Sequence, residues 1–216
     1  MSGADPRSSA AADQAALAGA KRQLRSAVLQ RRASRPLAER TADDEARFAA
    51  LADALDDRLP DTVAAYLSTD VEPDTLRLVA WLGARRVRVL LPLLTDGSGG
   101  RLREPAWAAY AGPDALRVGP LGLLEPTTTP LPARQLPEAE LVVCPGLAAN
   151  LAGDRLGRGG GWYDRALRHV GQAAPVVALL NRDEVLEVIP TQPWDRRVDR
   201  IATPEGVVDC EPPYAG

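Results

Sequence analysis

The residues best suited to chemistry form one glycine- and arginine-rich segment, residues 153–165, with the sequence GDRLGRGGGWYDR. Glycines let the backbone approach a ligand closely and point several N–H groups at it. This segment contains Gly157, Gly159, Gly160 and Gly161. Arg155 and Arg158 add full positive charges, and a helix beginning at the end of the segment would add partial positive charge. The segment therefore predicts a phosphate cradle.

The glycine spacing differs from two common phosphate motifs. A Walker A loop requires Gly-Lys-Ser/Thr, and a dinucleotide-binding fingerprint places its glycines differently. The residues alone leave open a second interpretation, a mobile loop that is stiffened by surface arginines. Two aromatic residues and an aspartate directly after the glycines favour a ligand site.

Asp164 and Asp195 are the candidate metal ligands. Mg²⁺ in proteins takes one or two carboxylates together with phosphate oxygens. Asp164 directly follows the glycine-rich loop, and Asp195 ends a proline-stiffened segment, residues 190–195, after a predicted strand. Loops after parallel strands are where α/β folds bind ligands. An aspartate at a helix start is otherwise often a simple cap or N-terminal charge, which remains the alternative for Asp164.

Lys21 is the only lysine among the 26 Lys and Arg residues. Either this position needs a compact, flexible ammonium rather than a planar guanidinium, or the lysine is an accident of composition. The single histidine, His169, lies in a helical run, which favours a surface position. Cys144 and Cys210 are expected to serve packing, and one histidine with two distant cysteines argues against a structural zinc site.

The elements that must position these residues alternate between short apolar strands and helices. Helices are predicted at 16–32, 37–58, 73–84 and 163–170, and strands at 62–67, 86–91, 141–144 and 176–180. We expect Pro92 to end the second strand, and residues 104–135 to form a hairpin or long loop with an edge strand. The alternation predicts a Rossmann-like three-layer α/β/α sandwich with a mostly parallel sheet and the glycine-rich loop at its strand ends.

Composition sets the remaining limits. With 216 residues, 45% hydrophobic and 25% charged, the chain is typical of an ordinary globular protein. We expect one domain over residues 16–216, preceded by a disordered tail over residues 1–15. A net charge of −3 gives no reason to expect nucleic acid or an anionic membrane as partner. Without a long apolar run or a signal peptide, we expect a cytoplasmic protein, and a monomer.

Residues 155–164, RLGRGGGWYD, resemble the signature of the 5-formyltetrahydrofolate cyclo-ligase family, also called methenyltetrahydrofolate synthetase. Further blocks agree in the same order, so that the resemblance covers about residues 20–208. They are the N-terminal helix with Lys-x-x-Leu-Arg at 20–25, the strand-to-helix turn with a glutamate at 66–75, Gly-Leu-Leu-Glu-Pro at 122–126, Cys-Pro-Gly-Leu at 144–147, and the tail at 190–195 and 199–203.

The resemblance implies an ATP- and Mg²⁺-dependent enzyme that converts 5-formyltetrahydrofolate to 5,10-methenyltetrahydrofolate and releases ADP and phosphate. ATP would phosphorylate the formyl oxygen, after which N10 would attack the activated carbon. Phosphoryl transfer depends on positioning and charge neutralisation more than on a strong base. That requirement suits a chain with no evident catalytic triad.

The resemblance also implies roles for individual residues. Asp164 and Asp195 would hold Mg²⁺, and Arg155, Arg158 and Tyr163 would act in catalysis. The ATP site would comprise Lys21, Arg25, Arg155, Leu156, Gly157, Arg158, Gly159, Gly160, Gly161, Trp162 and Tyr163. The folate site would comprise Leu67, Glu72, Arg158, Gly159, Gly160, Gly161 and Trp162. Without the resemblance, Glu72 would be interpreted as a first-turn helix carboxylate before Pro73.

The sequence departs from the family pattern at several positions. The family usually has Phe-Asp at Ala149-Asn150, glutamine at Glu184, histidine at Trp194 and tyrosine at Trp162. The departures at Ala149, Asn150 and Glu184 motivate an alternative, a non-catalytic nucleotide- or folate-binding paralogue. A sugar-phosphate isomerase or CoA-transferase-like enzyme is a third hypothesis, but such chemistry calls for an additional catalytic Glu or Lys.

Lys21 yields the first testable prediction. Lys21→Ala should raise the Michaelis constant for ATP about tenfold to hundredfold, because a charge-assisted hydrogen bond contributes roughly 1.5–3 kcal/mol, with little change in melting temperature. Lys21→Arg should not rescue fully, since the guanidinium is bulkier and fixed in geometry. Initial rates against ATP test both variants. Wild-type kinetics in Lys21→Ala would mean that the N-terminal helix only packs.

Overall fold

A computed structural model of the chain describes residues 6–56, 58–69, 71–96, 98, 100–119 and 122–211. Its α-helices are α1 (Pro6–Ser34), α2 (Leu37–Asp56), α3 (Leu76–Ala84) and α4 (Trp162–Ala166). Its strands are β1 (Thr62–Ala64), β2 (Arg88–Thr95), β3 (Arg101–Ala109), β4 (Leu116–Val118), β5 (Leu124–Pro126), β6 (Leu131–Pro132), β7 (Leu141–Pro145), β8 (Ala148–Ala149), β9 (Arg155–Leu156), β10 (Val176–Leu179), β11 (Arg200–Thr203) and β12 (Gly206–Asp209).

Eight of these strands form one sheet, in the order β12-β11-β10-β7-β1-β2-β3-β6. The pairings from β11 through β10, β7 and β1 to β2 are parallel, and β12, β3 and β6 add antiparallel edges. The ribbons β4–β5 and β8–β9 lie outside this sheet. The central strands are fully buried, as expected where both faces of a parallel sheet are covered.

Helices cover the two faces of the sheet. One face packs on α2 and α3, where Leu51 and Leu78 are buried in its core. The other packs on α4 and the 3₁₀ turn that follows it, through Ala166 and Leu167. The predicted three-layer α/β sandwich with a mostly parallel sheet is therefore confirmed. A third cluster, which includes Val28, joins α1 to the β8–β9 ribbon.

The prediction that Pro92 ends its strand is wrong. β2 continues past Pro92, which lies opposite Trp107 of β3. The carbonyl of Leu90 accepts a hydrogen bond from the N–H of Ala65, on the β1 side. The backbone N–H and C=O groups of alternate strand residues face the same neighbouring strand. The backbone nitrogen of Pro92 therefore faces the same side as Leu90, at a point where β1 has already ended. Proline therefore costs no ladder hydrogen bond at this position.

Two other boundaries differ from expectation. Residues 6–15, expected to be disordered, form the first part of α1. They are rich in alanine, the strongest helix former, and Pro6 suits a first helical turn; residues 1–5 lie outside the described residues. Helix α3 begins at Leu76 rather than at Pro73, because the Asp74 carboxylate accepts hydrogen bonds from the N–H groups of Leu76 and Arg77.

A buried ion pair fastens α1 to the segments that directly follow β7 and β10. Nε and Nη2 of Arg32 donate to the two carboxylate oxygens of Glu184 at 2.7 Å each, and Nη2 also donates to the Gly146 carbonyl at 2.7 Å. Burial by itself would lower the pKa of Arg32, but the hydrogen bond and charge of Glu184 outweigh it and raise the pKa. Glu184, where the family usually has glutamine, therefore has a structural role, because it neutralises an arginine that is buried away from water.

Glu184→Ala should lower the free energy of unfolding by about 3–5 kcal/mol, because it leaves the Arg32 charge buried without its partner. Asp209→Ala is the matched control, since it removes an exposed carboxylate that pairs with Arg200 and should cost about 0–1 kcal/mol. Urea denaturation measures both variants. Equal losses would show that burial of the Arg32–Glu184 pair has no special energetic weight.

Candidate functional site

The glycine-rich loop lies at the carboxyl edge of the sheet, as the sequence predicts. An apolar cavity of about 170 Å³ opens there between Tyr66 after β1, Pro92 of β2, Pro145 of β7 and Trp162 of α4. A cationic cavity of about 330 Å³ lies on the α1 side of the loop and is lined by Lys21 and other basic residues. A third cavity, of about 180 Å³, follows the loop itself and shares lining residues with both. The loop thus lies between two chemically different cavities and contributes lining residues to both.

Glycine is required at particular positions of the loop. Gly159 has φ +98° and Gly161 has φ +63°, a region that side chains with a Cβ rarely adopt. A Cβ on Gly159 would also lie 3.3 Å from the guanidinium carbon of Arg25. Arg25 holds the loop from α1, since its Nε donates to the Gly157 carbonyl at 2.9 Å. Lys21 and Arg25, four positions apart and therefore on one face of α1, both line the cationic cavity.

Lys21 joins α1 to the proline-stiffened segment near the end of the chain. Its Nζ donates to Oδ2 of Asp195 and, at 3.1 Å, to Oε1 of Gln192. The side chain is only 6% exposed. The expectation that Lys21→Ala changes the melting temperature little does not fit this burial, because the variant would leave the Asp195 carboxylate without its counter-charge.

Arg155 is buried and holds other groups in place. Its Nη1 donates to the Pro145 carbonyl at 3.1 Å, and its Nη2 donates to Oδ1 of Asp164 at 3.0 Å. It therefore connects the end of β7 to the first turn of α4. The neighbouring Leu156 is 1% exposed and packs in the core beside Val28, so that only its backbone is suited to a ligand contact.

Arg158 crosses the mouth of the apolar cavity. Its Nε donates to Oε1 of Glu72 at 2.9 Å, and its Nη2 approaches Thr69 Oγ1 at 3.3 Å. The other Glu72 oxygen accepts from the N–H and hydroxyl of Thr69. Because α3 begins at Leu76, Glu72 is not a first-turn helix carboxylate, and that alternative is wrong. Glu72 lines the apolar cavity and the third cavity, which follows the loop, but not the cationic cavity.

Aromatic side chains form the wall of the apolar cavity. Trp162 lies edge-on against Trp107 and Tyr163, with ring centroids 5.1 and 4.8 Å apart. The hydroxyls of Tyr66 and Tyr163 are buried and have no hydrogen-bond partner among the described residues. Burial raises the pKa of both phenols well above the ordinary value. They are therefore neutral hydrogen-bond donors rather than bases near pH 7, and both line this cavity.

The two candidate metal ligands line one cavity, the cationic one. Oδ1 of Asp164 accepts from Arg155 and from the Arg196 N–H, and Oδ2 of Asp195 accepts from Lys21 and the Gln192 N–H. Within the described residues, the other oxygen of each carboxylate accepts no hydrogen bond. Such a pair fits Mg²⁺ that takes its remaining ligands from phosphate and water. The described part of the chain contains no group of three or more acidic, histidine or cysteine residues placed to hold a metal.

Sequence reasoning missed several site residues. The sequence indicates Tyr66 only as part of the motif at 66–75. It does not predict that Arg165 and Arg168 line the cationic cavity. Their signal was present, since both arginines follow the glycines within one or two helical turns. The departures at Ala149 and Asn150 line none of the cavities described above. Asn150 instead hydrogen-bonds Asp154 in the turn between β8 and β9.

The remaining predictions on candidate residues concern positions outside the site. His169 is exposed, and Cys144 is buried in the core beneath the site. Burial raises the pKa of Cys144 to about 11, so that its thiol stays protonated and serves packing. Neither cysteine forms a disulfide. Across the described residues, no helix combines the length and apolar character that spanning a membrane requires.

A mostly parallel α/β sandwich with a glycine-rich loop and two cavities at the carboxyl ends of its strands is the arrangement in which α/β enzymes bind their ligands. The family model for 5-formyltetrahydrofolate cyclo-ligases matches residues 18–204. A relative from Mycolicibacterium smegmatis, a 5-formyltetrahydrofolate cyclo-ligase, is 38% identical over 190 residues, covering 87% of this chain and 96% of the relative. The chain therefore belongs to the 5-formyltetrahydrofolate cyclo-ligase family, as its resemblance indicated, and is a ligase of folate metabolism.

Other relatives agree with this assignment. A 5-formyltetrahydrofolate cyclo-ligase from Escherichia coli K12 is 31% identical over 147 residues, covering 68% of this chain and 79% of the relative. Among solved structures, the 5,10-methenyltetrahydrofolate synthetase of Aquifex aeolicus superposes with a TM-score of 0.75 at 26% identity, covering 90% of this chain and 95% of that one.

The loop geometry predicts different effects for two adjacent glycines. Gly159→Ala should lower the free energy of unfolding by about 1–3 kcal/mol, because alanine is strained at a positive φ and its Cβ would crowd Arg25. Gly160→Ala is the matched control, since a Cβ there meets nothing within 4 Å. Urea denaturation compares the two variants. Equal stability would contradict the described conformation of the loop.

Proposed function

We propose that the protein is an ATP- and Mg²⁺-dependent cyclo-ligase that converts 5-formyltetrahydrofolate to 5,10-methenyltetrahydrofolate and releases ADP and phosphate. One observation carries the proposal: the glycine-rich loop forms a common wall between a cationic cavity and an apolar one. The first suits a polyphosphate, and the second suits a flat heterocycle with polar edges. A reaction that transfers a phosphoryl group from one substrate to the other needs that adjacency.

The ATP site of this proposal is the cationic cavity. Lys21 and Arg25 reach it from α1, and Arg165 reaches it from α4. Backbone N–H groups of residues 157–161 add dipoles without side-chain bulk. Arg155 has a different role from the one implied by the family resemblance alone. Because its guanidinium is buried and paired with Asp164, we assign it as a positioning residue that aims this carboxylate and fixes the loop.

The folate site of this proposal is the apolar cavity. Leu67 and Trp162 offer apolar surface for a pterin ring. The free hydroxyls of Tyr66 and Tyr163 offer donors that a buried heterocycle would satisfy. The Glu72 carboxylate already binds Arg158 and Thr69, so a folate group that contacts Glu72 must share it or displace Arg158. Arg158, half-exposed at 50%, is the residue able to turn from Glu72 toward a phosphoryl group.

The proposed reaction proceeds by two substitutions. The formyl oxygen attacks the γ-phosphorus of ATP, the bond from that phosphorus to the β–γ bridging oxygen breaks, and ADP leaves. N10 then attacks the activated formyl carbon and loses its proton, and cleavage of the carbon–oxygen bond releases phosphate. Asp164 and Asp195 would hold Mg²⁺, which supplies neutralisation of phosphate charge when bound. Cations and loop dipoles orient the phosphates, and the apolar wall excludes water.

A non-catalytic paralogue is the competing proposal, and the structure gives it little support. The departures that motivate it do not lie on the cavity walls: Ala149 is in β8, Asn150 is in the turn after it, and Glu184 is in a buried ion pair. A direct test incubates the protein with 5-formyltetrahydrofolate, ATP and Mg²⁺ and follows the near-ultraviolet absorbance of the methenyl product. Product formation that requires ATP supports the cyclo-ligase. Nucleotide binding without product would support the paralogue.

Asp164→Asn should reduce Mg²⁺-dependent turnover strongly and leave the fold intact. The amide oxygen can still accept from Arg155, and a carboxylate at a helix start contributes only about 0.3–1 kcal/mol through the helix dipole. Asp183→Asn is the control, because Asp183 also lies in the first turn of a short helix and pairs with an arginine, Arg31, but lines none of the site cavities. Unchanged Mg²⁺ dependence in Asp164→Asn would refute its assignment as a ligand.

A further inference from the structure

Trp194 is a large apolar side chain that faces open space in the cationic cavity. It is 49% exposed and lines that cavity together with Lys21, Arg25, Arg165 and Arg168. A single exposed tryptophan on a convex surface would need no explanation. Here the ring forms part of the wall of a concave, positively charged space, where an apolar surface contributes nothing to the binding of phosphate groups.

The other three tryptophans of the chain have partners for their rings. The guanidinium carbon of Arg85 lies 4.2 Å from the centroid of the Trp81 ring, and Phe48 packs edge-on against the same tryptophan. Trp107 and Trp162 pack against each other and against Tyr163. Among the described residues, Trp194 has no aromatic ring and no arginine against its face. Its ring is therefore available for stacking.

The segment that carries Trp194 is held in place. Prolines precede it at positions 190 and 193, and the Asp195 N–H donates to the Gln192 carbonyl at 3.0 Å, which closes a turn. Lys21 binds both Gln192 and Asp195 from α1. A ring presented from such a segment loses little conformational freedom when a ligand stacks on it, which favours recognition of a flat group.

We propose that Trp194 is the stacking platform for the nucleobase of the nucleotide substrate, and so determines how strongly the enzyme prefers a purine triphosphate. The inference rests on the proposed function, which places a nucleotide in the cationic cavity. Lysine and arginine side chains recognise phosphate groups whatever base is attached, so base selectivity must come from another surface. An indole overlaps more atoms of a two-ring purine than of a one-ring pyrimidine, and dispersion attraction grows with the number of atoms in contact.

The test compares ligands with and without a base. In Trp194→Ala, the Michaelis constant for ATP should rise about five- to hundredfold, because base–aromatic stacking contributes roughly 1–3 kcal/mol. The inhibition constant of inorganic tripolyphosphate, which has phosphates but no base, should change less than about twofold. Trp194→Phe should restore most of the ATP affinity. Trp81→Phe is the matched control, since it alters a tryptophan outside the described cavities and should leave both constants unchanged.

Nucleotide selectivity provides a second readout, and its first part uses the wild type alone: the wild type should prefer ATP over CTP in kcat/KM. That preference should shrink in Trp194→Phe and further in Trp194→Ala. An equal rise of the ATP and tripolyphosphate constants in Trp194→Ala would overturn the inference, because the ring would then only shape the phosphate site. So would a wild type that uses ATP and CTP equally well. A wild type that binds ATP but forms no methenyl product would instead overturn the proposed function alone.

Discussion

Each charged side chain at the site that is removed from water lies beside an opposite charge. Lys21 is paired with Asp195, Arg155 with Asp164, and Glu72 with Arg158. This follows from the cost of burying an unpaired ion, which is several kcal/mol unless a partner compensates it. These three pairs therefore balance the buried charges one against another. They connect α1 to the proline-stiffened segment, and the glycine-rich loop to α4 and to the turn before α3.

That balance has a consequence for binding. In the proposed function, a polyphosphate would bring negative charge to Lys21, and a divalent cation would bring positive charge to Asp195 and Asp164. The two together would give each of these three side chains a new partner of opposite charge. Either alone would leave an orphaned charge, which favours joint binding of nucleotide and metal. In the proposed function, Arg158 of the glycine-rich loop, half-exposed beside the apolar cavity, would exchange its carboxylate partner for a phosphoryl group.

The sequence was sufficient to predict the parallel strands β1, β2, β7 and β10 and the position of the glycine-rich loop, because these have local signals. Alternating apolar strands identify the fold, and Gly153, Gly159 and Gly161 of the predicted loop have positive φ. Pairings between distant residues had no such signal. Arg32 and Glu184 are separated by 152 positions, and nothing local distinguishes them from surface charges. The prediction that Pro92 ends its strand is wrong because local propensity cannot show that the neighbouring strand, β1, has already ended there.

A double-mutant cycle on Lys21 and Asp195 tests the charge-balance account most directly. The free energy of unfolding would be measured for the wild type, Lys21→Ala, Asp195→Asn and the double variant, each without ligand and with saturating Mg²⁺-ATP. The account predicts a coupling of about 0.5–3 kcal/mol in the free protein, falling toward zero when nucleotide and metal replace the internal partners. Additive effects in the free protein, or a coupling that Mg²⁺-ATP leaves unchanged, would contradict it.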